Sequence, residues 1–532
     1  MQGSLEQKYS ELETFRDPYL QAARDNAALT IPALIPPEDN GVKRVRKTIR
    51  QPDDSTGSRG VNNLASKLLI ALLPTNAPIF RMVINDFTVK NQLNAAVGAE
   101  GTSEVQKALS QIERAGMQEV DATGVRGPAY VMLQHLLVAG NYLLYVDPKD
   151  GGARGWPLHS YVVERDRMGN MLKIIIKEDM AFVALSPELQ EAVAAKAGKT
   201  LDEYKKDGSR EVCVFTGVER IGSDRYRVWQ EVADIHVAGS DGQYTGDTLP
   251  YMPLRLITVD GEDYGRAYVS DLYGDLFNAN ELRRATVAWS KAASKVVYLV
   301  KPNATTKPLV LTKAKSGDFV QGNKDDITVL TIEKTQDFNV ASTVYADIKK
   351  SLEIAFLLNS AVQRDAERVS AEEVRAVIEE INTGLGGMQS LLSNEFQLPF
   401  VKLLIARMER RKMFRLPKGM VKPTIVTGLA ALGRSQDLQN LVQALNALAV
   451  LNTVPPEFRG RIKPMDFINR VFSAAGVDPD GLIMDDQTYQ DFQQQQMMQQ
   501  LAASAGPGAV NQIAKGVMDQ QTEQVKQEAP QQ

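Results

Sequence analysis

The sequence predicts an α+β protein that is mainly helical and divided into several structural regions. The chain has 532 residues, which is too long for one ordinary hydrophobic core. Amphipathic segments with apolar residues at three- and four-residue spacing occur in the first 140 residues and again after residue 270. Between them, short runs rich in β-branched and aromatic residues alternate with Gly, Asp and Pro turns, which is typical of strands.

The N-terminal half is predicted to begin with four helices and to continue into strands. The helices are expected at residues 5–29, from residue 60 to Pro74, at 105–120 and at 130–138. The strands are expected at 142–146, 173–177, 212–216, 225–232 and 254–259, with a short surface helix at 186–201 among them.

The order of elements is most informative between residues 271 and 361. A helix at 271–295 leads into a run at 296–300, and two or three short strands follow at 308–311, 318–320 and 327–332. A second helix is expected at 341–361. The two helices can pair antiparallel and carry the β module at their far end. An ordinary α+β domain with a hairpin insertion fits the same order.

A polar loop at 363–369 is followed by the start of a long helix. Ser370 and Glu373 have the spacing of a capping box, in which each side chain accepts a hydrogen bond from the other residue's backbone. This helix is expected to reach about residue 412, with bends at Gly384, at Gly386-Gly387 and at Pro399. Residues 424–472 are expected to be helical, and the Gln-rich tail from residue 485 to be frayed and flexible.

Composition and charge narrow the classes of function. The net charge is −4 and the pI is near 5.7, which argues against a protein that grips DNA through many phosphate contacts. A protein that surrounds DNA and lets it slide is compatible with this balance. The N-terminus has no apolar segment of a signal peptide, and no apolar run is long enough to cross a bilayer. The single cysteine, Cys213, suits a reducing cytoplasm.

The sequence contains no convincing catalytic constellation. Gly198-Lys199-Thr200 resembles the end of a phosphate-binding loop, but the earlier glycine that such a loop needs is replaced by Val193. The three histidines have no metal-ligand spacing with one another or with Cys213: His135, His159 and His236. An acidic cluster could bind a metal, although a helix start favours acidic residues for electrostatic reasons: Asp365, Glu367, Glu372 and Glu373. We therefore predict a non-enzymatic protein with no catalytic residue, metal or cofactor.

Eight stretches of the chain carry a family resemblance. They lie at 59–68, 138–145, 160–166, 239–242, 260–266, 312–320, 357–375 and 423–428, and the longest reads LLNSAVQRDAERVSAEEVR. In this order, over about residues 10–480, they resemble the portal proteins (head-to-tail connectors) of short-tailed bacteriophages, the podoviruses of the T7-like family.

The resemblance implies a ring, of twelve subunits in this family, with wing, stem, clip and crown regions around an axial channel for double-stranded DNA. The implied boundaries are 1–270 for the wing, 271–300 and 341–361 for two stem helices, 301–340 for the clip, 362–370 for a channel loop, 371–423 for a long helix across the wing, 424–484 for the crown and 485–532 for a flexible tail.

The resemblance also implies partners and a location. The partners are viral DNA bound without sequence preference, the terminase large subunit, tail adaptor and tail tube proteins, scaffolding protein, the major capsid protein and internal core proteins, with no membrane. The protein would stand at the unique capsid vertex of the virion after assembly in the host cytoplasm. Two alternatives remain open, a metal-dependent DNA-packaging nuclease and a tail or scaffold protein without a channel.

The implied contact residues fall in the channel loop and the clip. Gln363, Arg364 and Arg368 would face the DNA, where the two arginines repeated around a ring would form a basic collar. Salt bridges of these arginines to nearby acidic residues, within or between subunits, are an equal alternative. Contact with terminase and adaptor is expected of five clip residues: Lys313, Lys315, Asp318, Lys324 and Asp325. Both stem helices should be apolar on more than one face, because ring subunits bury the stem against their neighbours.

Overall fold

The computed structural model describes residues 4–37, 49–75, 79–83, 108–149, 151–206, 211–294, 297–330, 335–358, 388–413, 424–427, 441–442, 444–449, 464–474, 493–494 and 496–497. The chain divides into two compact units. The first comprises residues 1–90 and 108–432, and the second comprises residues 91–107 and 433–532. The described part of the second unit is helical and includes the buried residues Ala444 and Phe472.

Helices account for most of the described chain. They are α1 (Leu5–Leu29), α2 (Thr56–Leu72), α3 (residues 108–123), α4 (Arg126–Ala139), α5 (Pro187–Lys196), α6 (Leu201–Lys206), α7 (Tyr268–Asp271), α8 (Tyr273–Ala293), α9 (Pro308–Lys313), α10 (Thr335–Ala355), α11 (Met388–Leu392), α12 (Leu398–Arg410) and, in the second unit, α13 (Pro464–Ala474). Single 3-10 turns lie at Leu158–Ser160, Phe182–Ala184, Gly246–Thr248 and Lys324–Asp326.

The strands form four antiparallel sheets in the first unit. They are β1 (Phe80–Val83), β2 (Asn141–Val146), β3 (Ala153–Trp156), β4 (Tyr161–Arg165), β5 (Met171–Ala181), β6 (Glu211–Arg220), β7 (Arg225–Val232), β8 (Ile235–His236), β9 (Gly242–Thr245), β10 (Tyr251–Arg255), β11 (Val297–Val300), β12 (Ile327–Leu330) and β13 (Thr424–Thr427). The largest sheet has the order β4-β5-β6-β7-β8, with β9 also pairing with β7. The others are β10-β2-β3, β11-β12 and β1-β13. The predicted α+β class is confirmed.

Helix α1 covers one face of the largest sheet. Leu5 and Tyr9 pack in a buried cluster with residues of four strands: Val162, Ile175, Phe215 and Trp229. Glu231 fixes the start of the helix, because its carboxylate accepts from the backbone N–H of Leu5 at 2.8 Å and from the indole N–H of Trp229 at 2.9 Å. The helix therefore begins where an acidic group satisfies an otherwise unpaired N–H.

Helix α4 lies in the interior next to α1 and α2. Its apolar residues are buried on nearly every side, as expected for a helix without a polar face. It ends at Gly140, whose φ of 72° is left-handed and whose neighbour Arg266 leaves no room for a Cβ atom. Asn141 then exchanges two hydrogen bonds of 2.7 Å with the backbone of Gly265, which fixes the loop that leads to α7.

The predicted helices of the N-terminal part are confirmed with small shifts. The first has the predicted bounds, and α2 begins at Thr56, four residues before the predicted start. The predicted surface helix at 186–201 ends at Lys196, because Gly198 adopts a left-handed φ of 67°, and a second helix, α6, begins at Leu201. The region 105–107 of the third predicted helix lies outside the described residues.

Four strand or helix predictions are wrong. Residues 308–311 form helix α9 instead of a strand, since Pro308 at the first position suits a helix start. Residues 318–320 are described and form no strand, and residues 256–259 lie beyond β10, which ends at Arg255 before a turn at Gly261. Residues 424–427 form β13, not a helix, because their β-branched sequence Thr-Ile-Val-Thr pairs with β1.

Near the predicted bend at Pro399, the long helix is interrupted by a π-turn. Between α11 and α12 a π-turn occupies Ser393–Gln397 and ends two residues before Pro399. Proline lacks the N–H that would donate to the carbonyl of Glu395 in an α-helix, and π-turns accommodate such interruptions. Helix α12 ends at Arg410, two residues before the predicted end. The predicted bends at Gly384 and at Gly386-Gly387, and the helix start at Ser370 and Glu373, lie outside the described residues.

Candidate functional site

Helices α8 and α10 form an arm, defined as residues 273–355, that extends from the body, the other described residues of the first unit. The two helices pack against each other. The hydroxyl of Tyr268, just before α8, donates to the carbonyl of Ala355 at the end of α10 at 2.9 Å, whereas β11 and β12 pair at the opposite ends of the helices. The helices are therefore antiparallel, as predicted, and carry the module of β11, α9 and β12 at their far end.

The base of the arm is fixed to the segment that leads into α2. The side-chain oxygen of Asn280 accepts from the backbone N–H groups of Asp53 at 2.7 Å and Asp54 at 3.2 Å. The hydroxyl of Tyr345 donates to the Asp54 carboxylate at 3.2 Å, and burial together with this carboxylate raises the pKa of Tyr345. Because Gly57 has no side chain, Leu276 of α8 can lie close to α2. Both helices are thus connected to the body at their base.

Each arm helix carries a stripe of exposed apolar side chains. The α8 stripe is Tyr273, Phe277 and Val287, and the α10 stripe is Val340, Val344 and Ile354, with exposures between 37% and 65%. Within each stripe the residues are four and then ten positions apart, a spacing that places them on one face of a helix. The predicted second apolar face is present on both helices.

The buried carboxylate of Asp326 links two segments of the far module of the arm. Asp326 accepts from the backbone N–H and the hydroxyl of both Thr305 and Thr306, at 2.9 to 3.1 Å. Burial disfavours its charge, but these donors outweigh that effect and lower the pKa of Asp326 below its usual range. This arrangement ties the loop after β11 to the turn before β12, so we call it the Asp326 clasp.

Apolar side chains are exposed on the far module as well. Phe319 is fully exposed and Leu309 is 74% exposed, and the neighbouring exposed residues are Tyr298, Leu299, Val310 and Leu311. Monomeric proteins rarely expose contiguous apolar surface of this kind without a binding partner. The sequence pattern missed this surface, because it predicts a short strand at Pro308–Leu311.

The five predicted clip contacts are all described and all exposed on this module. Asp318 also has a local role, since its carboxylate accepts from the backbone N–H of Lys315 at 2.7 Å. Lys313 is the last residue of α9, and Lys324 and Asp325 lie in the 3-10 turn whose third residue is Asp326. The structure brings the five residues to one module, and their role as contact residues remains a prediction.

The remaining predicted site residues belong to the channel loop and to the helix start after it. These residues lie outside the described part of the chain: Gln363, Arg364, Arg368, the cap residues Ser370 and Glu373, and the acidic cluster. Among the residues that are described, no group of His, Cys, Asp and Glu could hold a metal ion. Likewise, no described helix has both the length and the apolar character to cross a bilayer.

The motifs with a possible chemical role have structural explanations. Thr200 and Glu203 form a reciprocal cap on α6, which accounts for Gly198-Lys199-Thr200. His135 is buried and stacked on Tyr142 with a ring separation of 4.9 Å, and His236 pairs with Asp241 at 2.6 Å. His159 receives hydrogen bonds at its backbone carbonyl from Tyr9 and Arg16.

Comparison with known proteins identifies the family. Residues 2–483 match the model of the bacteriophage head to tail connecting protein family. The portal protein of Escherichia phage T7 is 38% identical over 97% of this chain and 94% of its own length, and that of Enterobacteria phage T3 is 37% identical over 95% and 93%. A chain in the virion of a native gene transfer agent particle aligns with 80% of this chain and 90% of its own, at 11% identity and a TM-score of 0.34, which is too low to carry an argument. The chain therefore belongs to the bacteriophage head to tail connecting protein family.

Proposed function

We propose that this head-to-tail connecting protein forms a ring of twelve copies at one capsid vertex and conducts double-stranded DNA through the axial channel of that ring. The observation that carries the proposal is the pair of apolar stripes on the arm, which are exposed in the single chain. The relatives named portal proteins, which the chain matches over almost its full length, support the same function.

The two stripes suit a ring better than a two-fold dimer. A ring requires a heterologous interface, in which two different surfaces of each copy meet, whereas a two-fold dimer uses one surface twice. The stripes lie on different helices of one arm, so the α8 stripe of one copy can pack against the α10 stripe of the next. Tyr273 and Phe277, whose rings are 6.2 Å apart, provide the aromatic anchors typical of such interfaces.

The arm would then be the stem and clip of the ring. Helices α8 and α10 correspond to the proposed stem helices, although α10 begins at Thr335, six residues before the predicted start. The segment with α9 and β12 corresponds to the proposed clip at 301–340, with β11 at the end of the first stem segment. The body without β13 would be the wing, and residues 424–484 would be the crown. In this arrangement the exposed residues of the far module would meet the terminase large subunit and later the tail adaptor and tail tube proteins.

The DNA-facing element is proposed to be the loop that contains Gln363, Arg364 and Arg368. Repeated around a ring, two arginines per copy would contact phosphates without reading the sequence. The acidic net charge of −4 would keep the rest of the surface from retarding the DNA. Scaffolding protein, the major capsid protein and internal core proteins are the further proposed partners, with assembly in the host cytoplasm before incorporation at the capsid vertex. The proposed role is that of a structural conduit, without catalysis.

Replacing Val344 with Asp tests the interface. A charge in the middle of the α10 stripe should prevent ring formation, because it would be buried without a partner between copies. The free energy of unfolding of the single chain should change by less than about 1 kcal/mol, since the residue is exposed there. Mass photometry would measure the loss of an assembly of twelve 58.6 kDa chains.

Val183→Asp is the matched control, because Val183 is 69% exposed but lies in the body. It should form rings like the unchanged protein. A Val344→Asp variant that still assembles would contradict the proposed interface, and an unchanged protein that stays monomeric would contradict the ring itself.

For the DNA-facing loop, Arg368→Glu should leave rings intact and impair DNA packaging or retention, and normal retention would contradict that role.

A further inference from the structure

The two apolar stripes of the arm also carry charged residues at a regular spacing. Two sets of three exposed residues are each seven positions apart: Phe277, Arg284 and Lys291 on α8, and Val340, Asp347 and Ile354 on α10. Seven residues are close to two full turns of an α-helix, so each set lies on one face. The α8 stripe therefore includes basic residues, and the α10 stripe includes an acidic residue.

Arg284 lies within the α8 stripe. It follows Phe277 by seven positions and precedes Val287 by three, and both are exposed apolar residues of that stripe. The Arg284 side chain is 56% exposed, and within the described part of the chain its ion pair is with Glu281, at 3.9 Å on the same helix. An exposed pair at this distance stabilises a helix very little. The charge of Arg284 is thus available to a group of another copy.

Asp347 lies at the centre of the α10 stripe. It follows Val344 by three positions and precedes Ile354 by seven, and its side chain is exposed. In the part of the chain that the structure describes, Asp347 forms no ion pair, and Lys349, two positions further on, pairs with Glu353 at 3.9 Å. The α10 stripe therefore presents one carboxylate among apolar side chains.

These opposite charges favour a contact between different stripes over a contact between identical ones. Asp347 is midway between Val340 and Ile354, so a two-fold contact centred on this face of α10 would place two Asp347 carboxylates opposite each other. Like charges brought together in an interface are strongly unfavourable. A contact of the α8 stripe with the α10 stripe brings Arg284 near Asp347 instead, and a ring repeats such a contact at every interface.

The two charges lie at different heights along one arm. Two contacts fix the register of the antiparallel helices: Tyr268 with Ala355 at the base, and Val297 with Leu330 at the far end. Counted from these contacts, Asp347 lies about six residues closer to the base than Arg284 does, which is roughly 9 Å. Packed helices are about 9 Å apart, so an arm that leans at roughly 45° to the ring axis brings Arg284 level with Asp347 of the next copy.

We infer that Arg284 of one copy pairs with Asp347 of the next, and that this pair sets the register of the interface. Apolar stripes alone attract each other without direction, because the hydrophobic effect is non-directional. A charged pair among apolar side chains supplies direction and excludes wrong registers. The inference rests on the proposed ring and names the residues that determine how neighbouring copies meet.

Charge reversal in the full-length protein tests the pair. Arg284→Asp and Asp347→Arg each bring like charges together between copies, so each should raise the chain concentration needed for ring formation at least about a hundredfold. The double variant Arg284→Asp/Asp347→Arg exchanges the two charges and should form rings within about tenfold of the concentration that the unchanged protein needs. Mass photometry over a dilution series would measure all four proteins.

The variant Arg284→Asp/Glu191→Arg is the matched control. It has the same net charge as the exchange variant, but Glu191 is exposed on α5 in the body. It should assemble as poorly as Arg284→Asp alone. Because Arg284 and Asp347 are exposed in the single chain, every unassembled variant should keep the unfolding transition of the unchanged protein, which separates assembly from folding.

Each outcome decides between the pair and the ring. Three results would overturn the pair and leave the proposed ring intact: normal assembly of both single variants, no recovery in the exchange variant, or equal recovery in the Glu191 control. Recovery in the exchange variant alone supports the pair. If the unchanged protein forms no ring at any concentration, the proposed function itself fails.

Discussion

The body and the arm bury their apolar residues in different ways, although both consist of amphipathic helices and antiparallel strands. In the body, α1 and the largest sheet enclose Val162 and Ile175 completely. In the arm, the buried residues of α8 are Leu276 and Ala279, both near the base, and a stripe of larger side chains stays exposed. The body thus completes its own core, whereas the arm is left with apolar surface that suits a neighbouring copy.

This difference indicates which residues govern the folding of a single chain and which govern the association of chains. Substitutions in the body should act on the stability of each chain, and substitutions on the arm should act on the association of chains. The comparison between body and arm can be tested by substituting a residue of the same type in each. It can also be tested at a histidine that responds to pH and at residues with a left-handed backbone.

The largest effect is expected for Phe215→Ala in the body. Phe215 is 2% exposed and packs on Tyr9, so its loss should lower the free energy of unfolding by about 4 kcal/mol. Phe277→Ala removes the same side chain from the α8 stripe and should change the stability of the single chain by less than about 0.5 kcal/mol. Denaturant unfolding of the unassembled chains would measure both values. Equal losses would show that the arm buries its apolar residues as the body does.

A second effect, of intermediate size, is expected at His135. Burial lowers the pKa of His135 from 6.5 to about 4, with a smaller contribution from His159. The unfolded chain therefore takes up the proton first as the pH falls, and the free energy of unfolding should decrease from pH 6.5 towards pH 4 by up to about 3 kcal/mol. His135→Phe keeps the stacking on Tyr142 and should remove this part of the pH dependence, as measured by thermal unfolding at several pH values. An unchanged pH profile would exclude His135 as the cause.

The smallest effect is expected for Leu357→Gly at the end of the arm. Glycine accepts the left-handed φ without strain, so the change should stabilise the local turn by up to about 1 kcal/mol, reduced by the greater freedom of glycine in the unfolded chain. Hydrogen exchange at Leu358 would report it. Gly140→Ala, at the end of α4 in the body, is the reverse comparison and should be destabilising, because Arg266 occupies the space of the added methyl group. If Leu357→Gly does not slow exchange at Leu358, the strain assigned to Leu357, whose φ is +52°, is contradicted.

The sequence predicts regular elements well where their pattern is local. The bounds of α1 follow from the spacing of Leu5, Tyr9 and Leu12, and the pairing of α8 with α10 follows from the order of elements around a short module. The prediction failed at α9, because the run Leu-Val-Leu after Pro308 has the composition of a strand, and at β13, because its partner β1 is more than 340 residues away. A strand whose partner is distant leaves little trace in its own sequence.

The candidate site was predictable only in part for the same reason. The five charged clip residues could be placed on the arm, but the adjacent Asp326 was not recognised, since its partners Thr305 and Thr306 are twenty residues away and across a turn. The positions of Arg284 and Asp347 in a seven-residue repeat predict the helix faces on which they lie. That repeat says nothing of what the faces contact, which depends on how a second copy is placed against the arm.

The position of α2 also has a mechanical consequence. The helix contacts Leu276 of the arm at Gly57 and Phe356, just after the arm, at Gly60. Its last residue, Leu72, accepts a hydrogen bond from the π-turn before α12. A force applied along the arm would therefore pass through α2 into α12.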